Sequence, residues 1–255
     1  MKNPQTRSVL ERLFVLRWDA AYRLALSAAA LSASVLQAAC TDVRDAPLAT
    51  EMSSRSTKGL PFSVPANADF GGWNPSHQTR QLVDGILRSG DHAGVDFIIV
   101  DKQSAAIYAF DASGVLKGAS PVLLGSAMGD DTVPGIGSRP MAEVLPNERT
   151  TPAGRFVAER GRNTLGEDVI WVDYDAAVSM HRVRTAKSDE RRLERLASPS
   201  AEDNRISYGC INVPVAFYEA VVAPIFSLKR AVVYILPDVK QLADVFRFPI
   251  DLSGS

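Results

Sequence analysis

The segment Ser207-Tyr208-Gly209-Cys210-Ile211-Asn212-Val213-Pro214 carries a thiol directly after a glycine and just before a helix that proline opens. A cysteine so placed sits on a tight turn, where backbone N–H groups can favour the thiolate and hold an oxyanion. Nucleophilic use of a thiol also needs a base. The chain has three histidines: His77 falls on a leading helix, His92 in a turn, and His181 at the end of the apolar run Val178-Ser179-Met180-His181. A strand would hold the His181 ring rigidly beside the thiol. The residues alone leave two readings open for each group. Cys210 is a nucleophile or a small buried hydrophobe, and His181 is a general base or a structural histidine.

The elements that must position these groups are mostly strands. Ser76 can cap a helix over 77–88, whose Leu82, Val83, Ile86 and Leu87 form one apolar face before Gly90 and Gly94 end it. Runs at 95–100, 105–110 and 115–124, with a turn at 111–114, read as strands, followed by a Gly/Pro/Asp-rich loop over 129–140. Further strands are expected at 156–159, 169–172, 176–181 and 231–236, and a short helix at 214–222. Many strands and few helices predict a mainly β domain with helices at its periphery. The polar segment 182–205, with seven positive and five negative side chains, reads as a solvated insertion containing a short helix.

Composition narrows the class further. The 255 residues are 46% hydrophobic and 22% charged with a net charge of -1, ordinary usage for a globular chain and no basic field for nucleic acid. Residues 1–40 hold five positive side chains ahead of a 13-residue uncharged stretch at 24–36. That is shorter than the roughly 20 apolar residues of a membrane span and fits a secretory signal peptide. The stretch ends in Leu36-Gln37-Ala38-Ala39-Cys40, resembling a bacterial lipoprotein signal with Cys40 as the lipidated residue. Residues 41–75 are expected to be a flexible tether and 76–255 the folded domain. With Cys40 lipidated or removed, Cys210 is an exported thiol without an intramolecular partner. Scattered histidines and no Gly-rich phosphate loop after a strand predict no metal and no other cofactor.

Ser207-Tyr208-Gly209-Cys210-Ile211-Asn212 resembles the signature of the L,D-transpeptidases (the YkuD-like catalytic domain), in which a His is followed, after a gap, by Ser/Thr-His-Gly-Cys-x-Asn. Thr151-Pro152-Ala153-Gly154-Arg155-Phe156 resembles the family's upstream Thr-Pro-x-Gly-x-Phe turn and strand, and the resemblance extends roughly over 95–237. It implies an L,D-transpeptidase-like β-sandwich with a few short peripheral helices. Carried over residue by residue, it makes Cys210 the nucleophile and His181 the general base, with Ser207, Tyr208, Gly209 and Asn212 as oxyanion or supporting positions. The family often orients its base with a main-chain carbonyl near the site, and Arg182 can supply only its carbonyl, since guanidinium cannot accept. Two departures are specific to this chain. Tyr208 stands where the family has histidine, and the 25 residues between His181 and Ser207 exceed the usual gap, the charged segment supplying the surplus.

The implied chemistry is acyl transfer on peptidoglycan stem peptides at the cell envelope, with contact to the membrane only through the lipid anchor. Arg205 is expected either to bind a stem-peptide carboxylate or to form an ion pair with Asp203 or Glu202. Other readings are an L,D-carboxypeptidase, a sortase-like transpeptidase using Arg230 before the late strand, and a wall-binding scaffold without turnover. Papain-like enzymes place Cys before His, opposite to the order here.

Overall fold

A computed structural model describes residues 70–227 and 229–250. The expected signal peptide, Cys40 and nearly all of the expected tether lie outside the described residues. The first helix, α1 (His77–Ser89), forms as its signals dictate: the Ser76 hydroxyl accepts from Thr79 N–H at 3.1 Å, and Gly90 ends the helix at φ 68°. Its Leu82, Val83, Ile86 and Leu87 are all buried. Phe70 belongs to the same core, edge-on to Tyr108 and Phe110. The folded domain therefore begins before Ser76, a correction to the expected end of the tether.

Among the described residues ten strands follow: β1 (Phe97–Asp101), β2 (Ala106–Phe110), β3 (Leu116–Pro121), β4 (Leu124–Gly125), β5 (Gly154–Arg162), β6 (Asp168–Asp173), β7 (Val178–Arg182), β8 (Arg205–Ser207), β9 (Ile211–Val213) and β10 (Ala231–Ile235). Eight of them form one sheet in the order β3-β2-β1-β10-β5-β6-β7-β9, and β4 pairs with β8 in a second. The fold is mainly β, as composition and periodicity predict. The long strand β5 joins the two halves of the large sheet, pairing with β10 through Gly154–Ala158 and with β6 through Glu159–Arg162.

In the first half both faces are covered. Ile98 and Val100 face the central core while Phe97 and Ile99 face the core under α1, and β2 and β10 alternate in the same way. Burial on both faces is why these strands read as unbroken apolar runs. The second half contributes Ile170, Met180, Ile211 and Val213 to the central core, where Tyr218 and Val222 of α3 (residues 215–225) join them. α3 is α-helical at Val215–Phe217 and Ala223–Ile225 with a π turn, Tyr218–Val222, between. Among the described residues the remaining α-helices are α2 (Arg192–Ala197) and α4 (Leu242–Val245), and short 3-10 turns lie in the loops.

The apolar run at 115–124 does not form one strand. β3 ends at Pro121, Val122 N–H then bonds Ala105 C=O, and Leu123 exchanges both main-chain hydrogen bonds with Asn212. The chain thereby leaves β2 and passes along β9, the strand that directly follows the nucleophile candidate. Among the described residues no helix is long and apolar enough to cross a membrane.

Candidate active site

The parallel pairing of β7 with β9 sets the site. The register matches Met180 with Ile211, His181 with Asn212 and Arg182 with Val213. Side chains alternate along a strand, so Met180, Ile211 and Val213 turn into the core while Ser179, His181 and Asn212 share the opposite face. Cys210, two residues before Asn212, falls on that face, and its Sγ lies 3.6 Å from Ser179 Oγ and 3.7 Å from Ala177 O. The structure thus brings together His181 and Cys210 from segments 29 positions apart. His77 is exposed on α1, and buried His92 bonds Ala112 C=O at 3.0 Å, so neither belongs to this face.

His181 Nδ1 is 2.8 Å from the Arg182 carbonyl. A carbonyl only accepts, so Nδ1 carries the proton and Nε2 is left with its lone pair. The Cys210 thiol is held below its ordinary value. Burial, the largest influence, pushes it up, but the hydrogen bond and charge of His181 together with hydrogen bonds from Ser179 outweigh it. When Nε2 takes the thiol proton, the thiolate lies beside an imidazolium that donates to it, the source of that hydrogen bond and charge.

The turn before Cys210 is pinned at several atoms. Ser207 Oγ accepts from Gly209 N–H at 3.1 Å and donates to Cys210 C=O at 2.6 Å. Thr151 Oγ1 donates to Gly209 C=O and accepts from Gly125 N–H, both at 2.9 Å. With the Gly209 carbonyl held by Thr151, the N–H of the same trans peptide, that of Cys210, points the other way. Gly209 has φ 122°, and a Cβ there would lie 2.7 Å from Thr150 O. Gly209→Ala is expected to cost about 1–3 kcal/mol in denaturant unfolding and to slow alkylation of Cys210 by iodoacetamide.

Asn212 is buried, and its Nδ2 donates to Cys210 C=O at 3.2 Å while Arg192 Nη1 donates to its Oδ1. Tyr208 is 37% exposed under the Arg149 guanidinium, 4.0 Å from the ring centroid. A cleft of about 370 Å³ opens on His181, lined also by Glu167, Asp168, Arg184 and Val215. Its carboxylates are held below their ordinary values, Glu167 by its hydrogen bond from Asn163 and by Arg184, Asp168 by Arg182 and Arg160 against the upward push of burial. Both remain ionised at neutral pH.

Arg205 does not face this site. It forms a two-pronged pair with Asp238, at 2.7 and 3.2 Å, and donates to Lys102 C=O. Its expected role as a carboxylate receptor is corrected, and the ion-pair partner is Asp238 rather than Asp203 or Glu202. Arg230 is largely exposed and paired with Glu159, at the end of β10 away from β7 and β9. The late arginine of a sortase-like site is thus not beside Cys210.

Sequence reasoning missed Lys102, Arg192 and Ser179. Lys102 is wholly buried, with Nζ within 3.2 Å of Asp130, Asp238 and the carbonyls of Gly129 and Thr151. It fixes the main chain of the residue that holds Gly209. A lysine at the end of an apolar strand was its only trace in the sequence. Ser179 was detectable by parity with His181. Among the described residues no three His, Cys, Asp or Glu side chains gather in a way that could hold a metal.

No family model and no curated protein matches the chain. Among solved structures, the helical cell shape determining protein Pgp2 from Campylobacter jejuni is 15% identical with a TM-score of 0.38, covering 57% of this chain and 49% of that one. The catalytic domain of the Enterococcus faecium L,D-transpeptidase is 16% identical with a TM-score of 0.32, covering 57% of this chain and 99% of that one. An L,D-transpeptidase from Mycobacterium tuberculosis is 14% identical with a TM-score of 0.35, covering 56% of this chain and 57% of that one. The chain spans about half the length of Pgp2.

Proposed function

We propose that this chain is a cysteine acyltransferase of the L,D-transpeptidase type, acting on peptidoglycan stem peptides. What carries the reading is the thiol of Cys210, lowered below its ordinary value and set on one sheet face with a histidine whose Nδ1 is committed to a main-chain carbonyl. A buried hydrophobic cysteine needs neither feature.

In this mechanism the Cys210 thiolate attacks the carbonyl carbon between meso-diaminopimelate and the terminal D-Ala of a tetrapeptide stem. The C–S bond forms as the carbonyl electrons move to oxygen. That oxyanion is steadied by the N–H groups of Cys210 and Tyr208, because Gly209 N–H already donates to Ser207 Oγ. As the tetrahedral intermediate collapses, the C–N bond breaks and protonated His181 gives its Nε2 proton to the departing amine of D-Ala. The thioester is then attacked by the side-chain amine of a second stem, whose proton His181 takes. The C–S bond breaks, the thiolate returns, and a 3-3 crosslink is formed. Water in place of the amine makes the enzyme an L,D-carboxypeptidase. An export signal ending at Cys40 would deliver the domain to the periplasm or cell envelope, lipid-anchored where Cys40 is acylated.

The test is mass spectrometry of muropeptides after incubating the fragment 41–255 with disaccharide-tetrapeptide. Dimers lacking one D-Ala are expected with the native chain and none with Cys210→Ala. Loss of D-Ala without dimers assigns the carboxypeptidase reaction. No change in either sample overturns the substrate assignment in favour of a different donor or a scaffold.

A further inference from the structure

The segment between His181 and Ser207 is longer than in the family the motif resembles, and its charge reads as solvation. Most of it is exposed and it contains a short helix, as that reading expects, but the structure also seats it on the domain. Leu196 of α2 is buried against Leu123 and Val183, and Asn204 Nδ2 donates to Val122 C=O at 2.9 Å. Leu123 is the residue whose main chain exchanges hydrogen bonds with Asn212, at 2.8 and 2.9 Å. The segment is therefore seated on the residue that clamps Asn212.

We infer that this segment is part of the active site and that Arg192 is a positioning residue, fixing the Asn212 amide and through it the main chain of the nucleophile. The inference rests on Cys210 being the nucleophile. A carboxamide has an acceptor end and a donor end, whereas a guanidinium only donates. Arg192 at Asn212 Oδ1 thus leaves a single orientation, with Nδ2 toward the Cys210 carbonyl. Without Arg192 the amide is free to turn, and Oδ1 would then oppose that carbonyl. The same carbonyl accepts from Ser207 Oγ, so the two bonds set the position of Cys210 relative to His181. Arg192 is itself held, with Nε 2.5 Å from Glu190 Oε2, and Arg195 Nε donates to the Glu190 carbonyl at 2.9 Å. Glu190 is kept ionised chiefly by its bond from Arg192. Paired in this way, Arg192 acts on the thiol through geometry rather than net charge, and the additional chain length serves as a brace.

The experiment is the pH dependence of Cys210 alkylation by iodoacetamide in full-length chains carrying R192M, R192K, N212A and R192M with N212A, each with its Tm. R192M is expected to slow alkylation at pH 7 about tenfold and to move the midpoint of the profile upward. R192K should retain most of the native rate, and R192M should add nothing to N212A. A native profile in R192M, or effects that multiply in the double variant, overturns the inference. If R192M does not fold, E190Q, which frees Arg192 without disturbing Leu196, is expected to slow alkylation about threefold. A native rate there is equally fatal. Alkylation needs no peptidoglycan, so a chain that fails on tetrapeptide yet shows the R192M shift refutes the substrate assignment and leaves Arg192 as the positioning residue.

Discussion

Replacing His181 with alanine is expected to slow acylation of Cys210 by about 10²- to 10⁴-fold, the range supplied by a positioned general base. Two effects combine. The thiol loses the hydrogen bond and charge that hold it below its ordinary value, and burial, the strongest influence on it, is then opposed only by Ser179. The midpoint of the alkylation profile should therefore climb. At neutral pH the thiolate fraction falls accordingly. The leaving amine also loses its proton donor, which lowers turnover on tetrapeptide beyond the loss of thiolate. The ring is half-buried at the end of β7 and its side-chain bond is to Arg182 C=O, so the fold should survive. Iodoacetamide titration across pH, with Cys210→Ala as the blank, measures the first effect. An unchanged midpoint would mean that His181 does not act on the thiol.

The second large effect is on stability. Lys102 is buried between Asp130 and Asp238, whose other charged partner is Arg205. Lys102→Met leaves Asp238 with Arg205 but strips buried Asp130 of its cation, leaving it the main-chain N–H groups of Asp238, Val239 and Lys240, a loss of about 3–5 kcal/mol. In a domain of this size that corresponds to a Tm lower by roughly 6–20 °C, readable by circular dichroism. The pH dependence has a definite sign. Burial pushes the Asp130 carboxyl up, but the N–H groups of Lys240, Asp238 and Val239 and the Lys102 ammonium bring it down to about 2. A carboxyl lowered on folding stabilises above its unfolded value of 3.8 and loses that contribution as pH falls from there toward 2. Acid unfolding should begin within that window in the native chain and at higher pH in Lys102→Met. Because Lys102 also bonds Thr151 C=O, the variant should show slower Cys210 alkylation even where it remains folded.

What the sequence made legible follows from what periodicity reports. Runs such as Phe97–Asp101 and Ala231–Ile235 announce themselves because both faces are buried, and Ser76 and Gly90 mark α1 through local hydrogen bonding. Cys210 and His181 were visible because a thiol on a glycine turn and a histidine ending an apolar strand are unusual pairings of residue and place. Strands β8 and β9, three residues each, are too short to carry a period. The partner of Arg205 was missed because Asp238 lies 33 positions away and only the tertiary fold brings it near. Arg192 was hidden among six other cations of its segment, since charge in a sequence does not say which side chain turns inward. The break after Pro121 depends on the pairing of Leu123 with Asn212, a contact that no local pattern encodes.

The measurement that bears most directly on the account is intact-protein mass spectrometry of the fragment 41–255 rapidly quenched in acid after mixing with disaccharide-tetrapeptide. The predicted result is a transient adduct of the donor less its terminal D-Ala, mapped by proteolysis to Cys210 and absent from Cys210→Ala. Crosslinked product formed with no adduct on Cys210, or an adduct on any other residue, would contradict it.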